Sequence, residues 1–521
     1  MRKFVLVLVL LIAVGGMQVS AGGSGEAEER DTLVVGQIAE PNALDPHTVT
    51  AVNDFRILVN IYEGLVRFAD GSLAVEPSLA HDWDISEDGT TYTFYLREGV
   101  EFHDGTPFNA EAVKFNFDRM LDEDHPYHDT GPFPLSSFFS AIENVVVEDE
   151  HTVTLELSEP FAPLLSNLAY PTGLMVSPTA VEESEDGFGR NPVGTGPFQF
   201  VEWESNTNVT VEAFADYWGS APGVEQIVFR PVTDGNTRVN EMLSGGLDVI
   251  VEVPPDSLGN FTDDDAFTVY EQAGPHVWFL ILNLREGPFT DRALRQAVNY
   301  AVDKESLVEN VLQGTATVAD SPIAPAFEWA YNEDLDPYPY DPDRAEELLE
   351  ESDYDGEELV FYVTEGGSGM LDPIPMGTAI QADLSDIGLN VSIETFEWNT
   401  FLDEVNAGLE GKADMAQMSW MTNDPDTLPF LTLRTDAFPE DGGFNSGYYS
   451  NSEVDDLLMQ ARQATTEDER GELYREMQEI VYEDAPWLFV GNWVQNAVAV
   501  SELQNFRLQP SFFLELGEVT F

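Results

Sequence analysis

Short apolar runs and strict alternations recur from about residue 32 onward, interleaved with segments of helical period. Leu33, Val34, Val35 and Ile38 predict a first strand. Phe55, Leu58, Val59 and Tyr62 then share one helical face, which stops at Gly64. After the Asp88-Gly89 turn, Tyr92, Phe94 and Leu96 alternate with Thr93, Tyr95 and Arg97, the pattern of a half-buried strand. A helix is expected to open near Thr106 to Glu111 and to continue through Val113, Phe117 and Met120. Val145-Val146-Val147 and residues 153–157 predict a strand pair turning at Asp149-Glu150. Further strands are expected at 199–203, 207–214 and 226–232. A short helix through Val239, Met242 and Leu243 ends at Gly245-Gly246.

The second half of the chain continues the alternation of element types. Residues 277–284 are almost wholly apolar, as in a buried strand that crosses between lobes. Thr290 reads as an N-cap, with Asp291 at the positive end of the helix dipole. Leu294, Ala297, Val298, Ala301 and Val302 form the buried face of that helix. Met376, Ile380, Leu384 and Ile387 predict another helix, stopped by Gly388 and followed by a strand at 391–393. A short strand at 413–419 leads into Trp420-Met421-Thr422-Asn423-Asp424-Pro425-Asp426. A large aromatic followed by Asn, Asp and Pro suits the wall of a ligand pocket; equally, it suits a Trp packed over an Asx turn. Leu473, Met477, Ile480 and Val481 give a last long helix before an apolar run from Trp487. Alternating helices and strands without internal repeat place the chain in the α/β class. Its 521 residues exceed a single core, so two or three domains are expected.

Charge narrows the function. The chain carries 22 Lys and Arg against 96 Asp and Glu, a formal net charge of -74. Such a surface repels nucleic acid and anionic membranes. The acids are spread along the whole chain, which suits solvation in high salt, where the Debye length falls to about 3 Å at 1 M. A halophilic source is therefore expected, and the net charge does not select a ligand. There is no cysteine, which excludes disulfides, thiolate metal sites, Cys nucleophiles and a lipid-modified Cys anchor. Arg2 and Lys3, an apolar run at 4–14 and Val19-Ser20-Ala21 read as a signal peptide over 1–21, with a flexible leader at 22–30. The mature protein is thus expected in the periplasm or cell envelope, free of a lipid anchor.

The order of motifs resembles the family 5 solute-binding proteins of ABC importers, of dipeptide- and oligopeptide-binding type. Leu79-Ala80-His81-Asp82-Trp83 and the segment from Tyr92 to Gly105 carry the likeness, with Gly194-Thr195-Gly196-Pro197-Phe198 and Asp216-Tyr217-Trp218. It continues through Asp291-Arg292-Ala293-Leu294-Arg295-Gln296-Ala297, Ile380-Gln381-Ala382-Asp383-Leu384, and Glu397-Trp398-Asn399-Thr400-Phe401-Leu402 with Trp420. The resemblance implies a two-lobed periplasmic-binding-protein fold (class II, cluster C type) with an extra domain inserted in the N-terminal lobe. Carried onto this chain, 31–64, 171–270 and 487–521 would form lobe I, 65–170 the inserted domain, and 271–486 lobe II. The chain would cross between lobes near 277–284 and 487–493. Such proteins capture a peptide or small-molecule ligand by hinge closure and deliver it to ABC permease subunits in the membrane. The resemblance thus implies a binding protein rather than an enzyme, without cofactor or metal and acting as a monomer.

The same resemblance assigns pocket-lining roles to Trp420 and Trp398. Peptide binders of the family hold the ligand ammonium with an Asp three residues after the second Trp, where this chain has Asn423; Asp424 is adjacent. Dipeptide binders place an Arg before the Gln-Ala-Asp motif, but Asp372-Pro373-Ile374-Pro375-Met376 contains no cation. A buried carboxylate without a positive partner costs several kcal/mol, so oligopeptides are expected over dipeptides. Neutral ligands such as oligosaccharides are the alternative, since aromatic faces and amides suit both. Asn42, Asn283, Asn492 and Trp493 complete the expected site. Outside this reading, His125 and His128 lie in an acidic, Pro-containing loop rather than a metal motif. A secreted hydrolase using two of the many acids is the remaining alternative, with no motif that singles out a pair.

Overall fold

The computed structural model describes residues 30–184, 187–335, 337–367 and 369–521. The signal peptide expected at 1–21, and the leader up to residue 29, lie outside them. Most strands belong to one twelve-stranded sheet built in two halves that share a single strand, Trp487–Val500. The first part of this strand pairs antiparallel with His276–Leu282 and Ala316–Val318. Its last part pairs with Phe267–Ala273 and Val249–Val251. One half continues outward through Met415–Met421, Glu358–Thr364 and Asn390–Phe396. The other continues through Thr32–Gln37, Gln226–Pro231, Asn208–Ala213 and Phe198–Glu204. These halves are the sheets of two lobes. A separate four-stranded antiparallel sheet, Ala80–Ile85, Thr91–Leu96, Thr152–Leu157 and Ile142–Asp149, has a hydrophobic core of its own.

The alternation read at 92–96 is seen directly, with Tyr92, Phe94 and Leu96 buried and the residues between them half-buried. Three expectations shift. The apolar run after residue 276 is not a crossing between lobes. It is a strand of the second lobe, His276–Leu282, buried along its whole length because both faces are covered. The crossing comes just before it, at Gly274-Pro275, and the return lies inside Trp487–Val500 around Asn492. Asp291, not Thr290, caps helix Arg292–Ala301: its carboxylate accepts from Ala293 N–H at 2.9 Å, while the Thr290 hydroxyl donates to Gly287 O. Trp420 lies within strand Met415–Met421 rather than in the turn after it.

The crossing is tightly packed. A Cβ placed on Gly274 would sit 1.8 Å from the Phe512 ring, so only glycine lets the chain pass beneath it. Asn492 Nδ2 donates to His276 O at 2.8 Å, tying the two crossing segments together. The His276 ring lies between them. Its Nε2–H donates to Gly369 O at 2.9 Å, which leaves Nδ1 to accept from Trp493 N–H at 3.3 Å. Burial pushes this ring from 6.5 down to about 4, so it is neutral in the fold.

Two outcomes are expected. Gly274→Ala should destabilise by about 1–3 kcal/mol through overpacking, read by denaturant unfolding, and Gly274→Ala with Phe512→Ala should show strong coupling. Because the folded His276 pKa is depressed, its contribution is fully present above pH 6.5 and is lost as pH falls toward 4. The full shift corresponds to about 3 kcal/mol. The melting temperature should drop over that window, and His276→Gln should flatten part of the drop.

Candidate functional site

The strand carrying Trp420 is placed by its register. Met415–Met421 runs antiparallel to His276–Leu282, with Trp420 opposite Val277 and Met418 opposite Phe279. Since side chains alternate between faces, Trp278, Leu280 and Leu282 join one core, while Val277, Phe279 and Ile281 face the other way. On that second face Phe279 stacks on Trp487 at 4.1 Å, and Trp420 meets Phe444 edge to face at 5.6 Å. These aromatics, with Ile281, Met418, Asn406, Thr432 and Ser446, line a narrow, almost closed crevice beside the shared strand, with a free volume of about 10 Å³. Neither the Trp420 indole N–H nor the exposed Asn406 amide has a hydrogen-bond partner among the described residues. The crevice therefore offers apolar walls and two unengaged polar groups, but in this closed arrangement it has room for no more than about one water.

The other expected site residues scatter. Trp398 begins helix Trp398–Asn406, stacks on Phe401 at 5.9 Å and packs against Gly367, but does not line the crevice. Asn42 is exposed in the N-terminal lobe, and its backbone and amide N–H groups bind the Asp54 carboxylate at 2.8 and 3.1 Å. Asn283 is buried past the far end of its strand, six residues from Val277 and so roughly 20 Å from Trp420. There its amide donates to Ala413 O and accepts from Arg285 N–H. Asn492 and Trp493 belong to the lobe crossing: the amide of one holds His276 O, and the ring of the other lies between His276 and Phe512. The amides of Asn283 and Asn492 are thus taken up by backbone carbonyls, and that of Asn42 by a neighbouring carboxylate.

Asn423 and Asp424 make the most informative contacts. Both are buried, and both touch helix Leu164–Ala169, whose Leu164 and Leu168 sit in the core of the four-stranded sheet. Asn423 Nδ2 donates to Asn167 Oδ1 at 2.6 Å, and Ser166 Oγ donates to Asp424 at 2.8 Å. Ala162 N–H adds a backbone bond to Arg462 O at 2.9 Å. Asp424 is also paired with Arg470 at 2.6 Å, and Asp426 with Arg462 at 2.9 Å. Burial raises the Asp426 carboxyl, and the Arg462 guanidinium opposes that rise. Asp424 thus already has its cation and its hydroxyl donor. The turn after Trp420 fastens the second lobe to the N-terminal part of the molecule.

Sequence reasoning missed Phe444, Ser166, Asn167 and Arg470. The signal for Arg470 was its place on the apolar face of helix Glu467–Asp484, in a chain with few cations. For Phe444, Ser166 and Asn167 only the tertiary fold supplies the proximity. Asp424→Asn should cost about 3–5 kcal/mol, because it strands the buried Arg470 charge. Asn423→Ala should cost about 1 kcal/mol through one lost hydrogen bond. Chemical denaturation of the two variants checks the ordering.

The fold is that of known binding proteins. The family model for bacterial extracellular solute-binding proteins, family 5 Middle, matches residues 74–440. The chain is 32% identical to di/tripeptide-binding protein 2 of Pseudomonas aeruginosa over 92% of this chain and 93% of that protein. It is 34% identical to heme-binding protein A of Haemophilus influenzae, over 86% of this chain and 85% of that one. Among solved structures, HbpA2 from Haemophilus parasuis superposes with a TM-score of 0.87 at 28% identity, covering 94% of this chain and 99% of that one. Fold, motif order and similarity along most of the chain agree, and this protein belongs to family 5 of the bacterial extracellular solute-binding proteins.

Proposed function

We propose that the protein is the exported binding component of an ABC importer, which captures a peptide by lobe closure and delivers it to membrane permease subunits. It would work as a monomer in the periplasm or cell envelope without a lipid anchor, and it would bind rather than convert its ligand. The observation that carries this reading is the pair of half-sheets joined by one common strand, with the Trp420 aromatics packed beside it. A ligand held there favours the arrangement in which the lobes meet, so binding shifts the population toward one shape for the permease to recognise. The separate core of the four-stranded sheet supports reading 65–170 as an inserted domain.

Peptides longer than two residues suit the site better than dipeptides. Helix Pro373–Asp386 begins in the stretch without a cation, so nothing there balances the carboxylate of a short ligand. Asp424 is neutralised by Arg470, and Asn423 is bonded to Asn167. The ligand amine is therefore not held by a free carboxylate at this turn, and the contacts would come through Trp420, Asn406 and peptide backbone groups. The neutral Asn423–Asn167 pair also favours a second reading, a neutral solute such as an oligosaccharide.

Native mass spectrometry of protein purified in high salt should reveal a co-purified peptide. Thermal shifts against peptides of two to five residues should then grow beyond the dipeptide. A ligand at 100-fold its dissociation constant should add about 2.7 kcal/mol. Trp420→Ala should abolish that gain while the unliganded protein still melts cooperatively. Stabilisation by glycans alone would select the second reading, and turnover of either ligand class would overturn both.

A further inference from the structure

The distribution of charge around Trp420 restricts the ends of a ligand more sharply than its length. Among the described residues, those that line the crevice include no Asp, Glu, Lys, Arg or His. No Lys or Arg occurs between Arg344 and Lys412, a stretch that includes strand Glu358–Thr364, helix Pro373–Asp386 and the helix that begins at Trp398. From there to residue 470 the cations are Lys412, Arg434, Arg462 and Arg470. They are paired with Glu404, Asp436, Asp426 and Asp424 respectively. Every one of these partners belongs to the second lobe, so parting the lobes frees none of the four.

Because the closed crevice holds no more than about one water, a ligand enters as the lobes part and is then shut in. An ammonium or carboxylate enclosed there loses its water and meets no opposite charge, which disfavours it far more than a neutral amide of similar shape. The two ends are not equivalent. A net charge of -74 attracts an ammonium and repels a carboxylate, and no unpaired cation stands by the crevice to offset that. The carboxylate is the worse of the two. What the crevice does present is neutral: the Trp420 indole, the Asn406 amide and the faces of Phe279, Phe444 and Trp487.

Taking the peptide reading above, on which this inference rests, we propose that the ligand is a peptide without charged ends, blocked at both termini or closed into a ring. One of its carbonyls accepts from the Trp420 indole N–H, a backbone amide pairs with Asn406, and an apolar side chain lies among the aromatic faces. Specificity for such ligands comes from what the site withholds: a free terminus is rejected because nothing there balances it.

The tripeptide Ala-Phe-Ala serves as probe in its free, N-acetylated, C-amidated and doubly capped forms, titrated calorimetrically into the intact mature protein. The doubly capped form should bind most tightly and the free form on the order of tenfold more weakly, with the C-terminal cap giving the larger share of the gain. The ranking should persist at about 1 M salt, where the Debye length is about 3 Å and long-range repulsion is screened. Asn406→Arg puts a cation at an exposed helix position that lines the crevice. It should reverse the preference at that end, so that the N-acetylated form with its free carboxylate binds more tightly than the doubly capped one. The comparison of the four forms uses the unaltered chain and decides the matter if Asn406→Arg does not fold. Equal or tighter binding of the free form, a gain from capping that vanishes at about 1 M salt, or an unchanged preference in folded Asn406→Arg would each overturn the inference and leave the peptide reading standing. Binding of none of the four forms would overturn both.

Discussion

Everything in this molecule hangs from one strand that is hydrogen-bonded into both lobes. Trp487–Val500 cannot leave either half-sheet without breaking a ladder, so the lobes move only where that strand and its neighbour cross between them. The crossing is correspondingly specialised. Gly274 is required by the Phe512 ring, His276 is fixed in one neutral tautomer, and the Asn492 amide bridges the two segments. In the proposed lobe closure, such an arrangement would concentrate the motion in a few residues at the crossing. The aromatic crevice lies next to this point, so a small displacement there is felt by Phe279, Trp487 and Trp420 together.

Ionic groups serve a structural purpose that composition does not suggest. Asp424 and Asp426 follow Trp420, where the resemblance would place an acid that holds a ligand amine, yet each already has an arginine partner. The Asp424 pair is deeply buried and receives a further hydrogen bond from Ser166 across the interface. A pair of this kind contributes little net stability compared with apolar packing, but breaking it is strongly unfavourable. Its geometry accordingly selects one way for the two parts to meet. In the proposed reading, recognition of a ligand would be left to aromatic faces and neutral donors, which are less sensitive to salt than an exposed charge pair would be.

Periodicity disclosed the elements well where one face is apolar and the other wet. The alternation of Tyr92, Phe94 and Leu96, and the helical face of Leu294, Ala297 and Val298, correspond to buried positions in the fold. It misled where both faces are covered: the apolar run after His276 resembled a transit between lobes, though it is an interior strand. The motifs disclosed the family because many of them occur in order over the chain. The site was less legible. Asn42, Asn283 and Asn492 have chemistry suited to ligands, but an amide also satisfies a backbone carbonyl or a neighbouring carboxylate, and the tertiary fold decides which. Asn423 could not be read correctly without Asn167, which lies 256 residues earlier and comes close only through the packing of two separate cores.

The placement of the few basic residues has a consequence for the solvent around the molecule. Arg56, Arg119, Arg238, Arg295, Lys304 and Arg470 are all buried, so a quarter or so of an already small cationic complement is hidden from water. Each lobe therefore faces solvent with a charge of nearly one sign and holds an atmosphere of mobile cations. When the lobes come together, these two atmospheres are compressed into less space, and additional ions must be taken up to balance the denser charge. If ligand is captured by lobe closure, as proposed, capture is thereby coupled to the salt of the medium: dissolved cations would act as a third participant in closure, alongside the protein and its ligand.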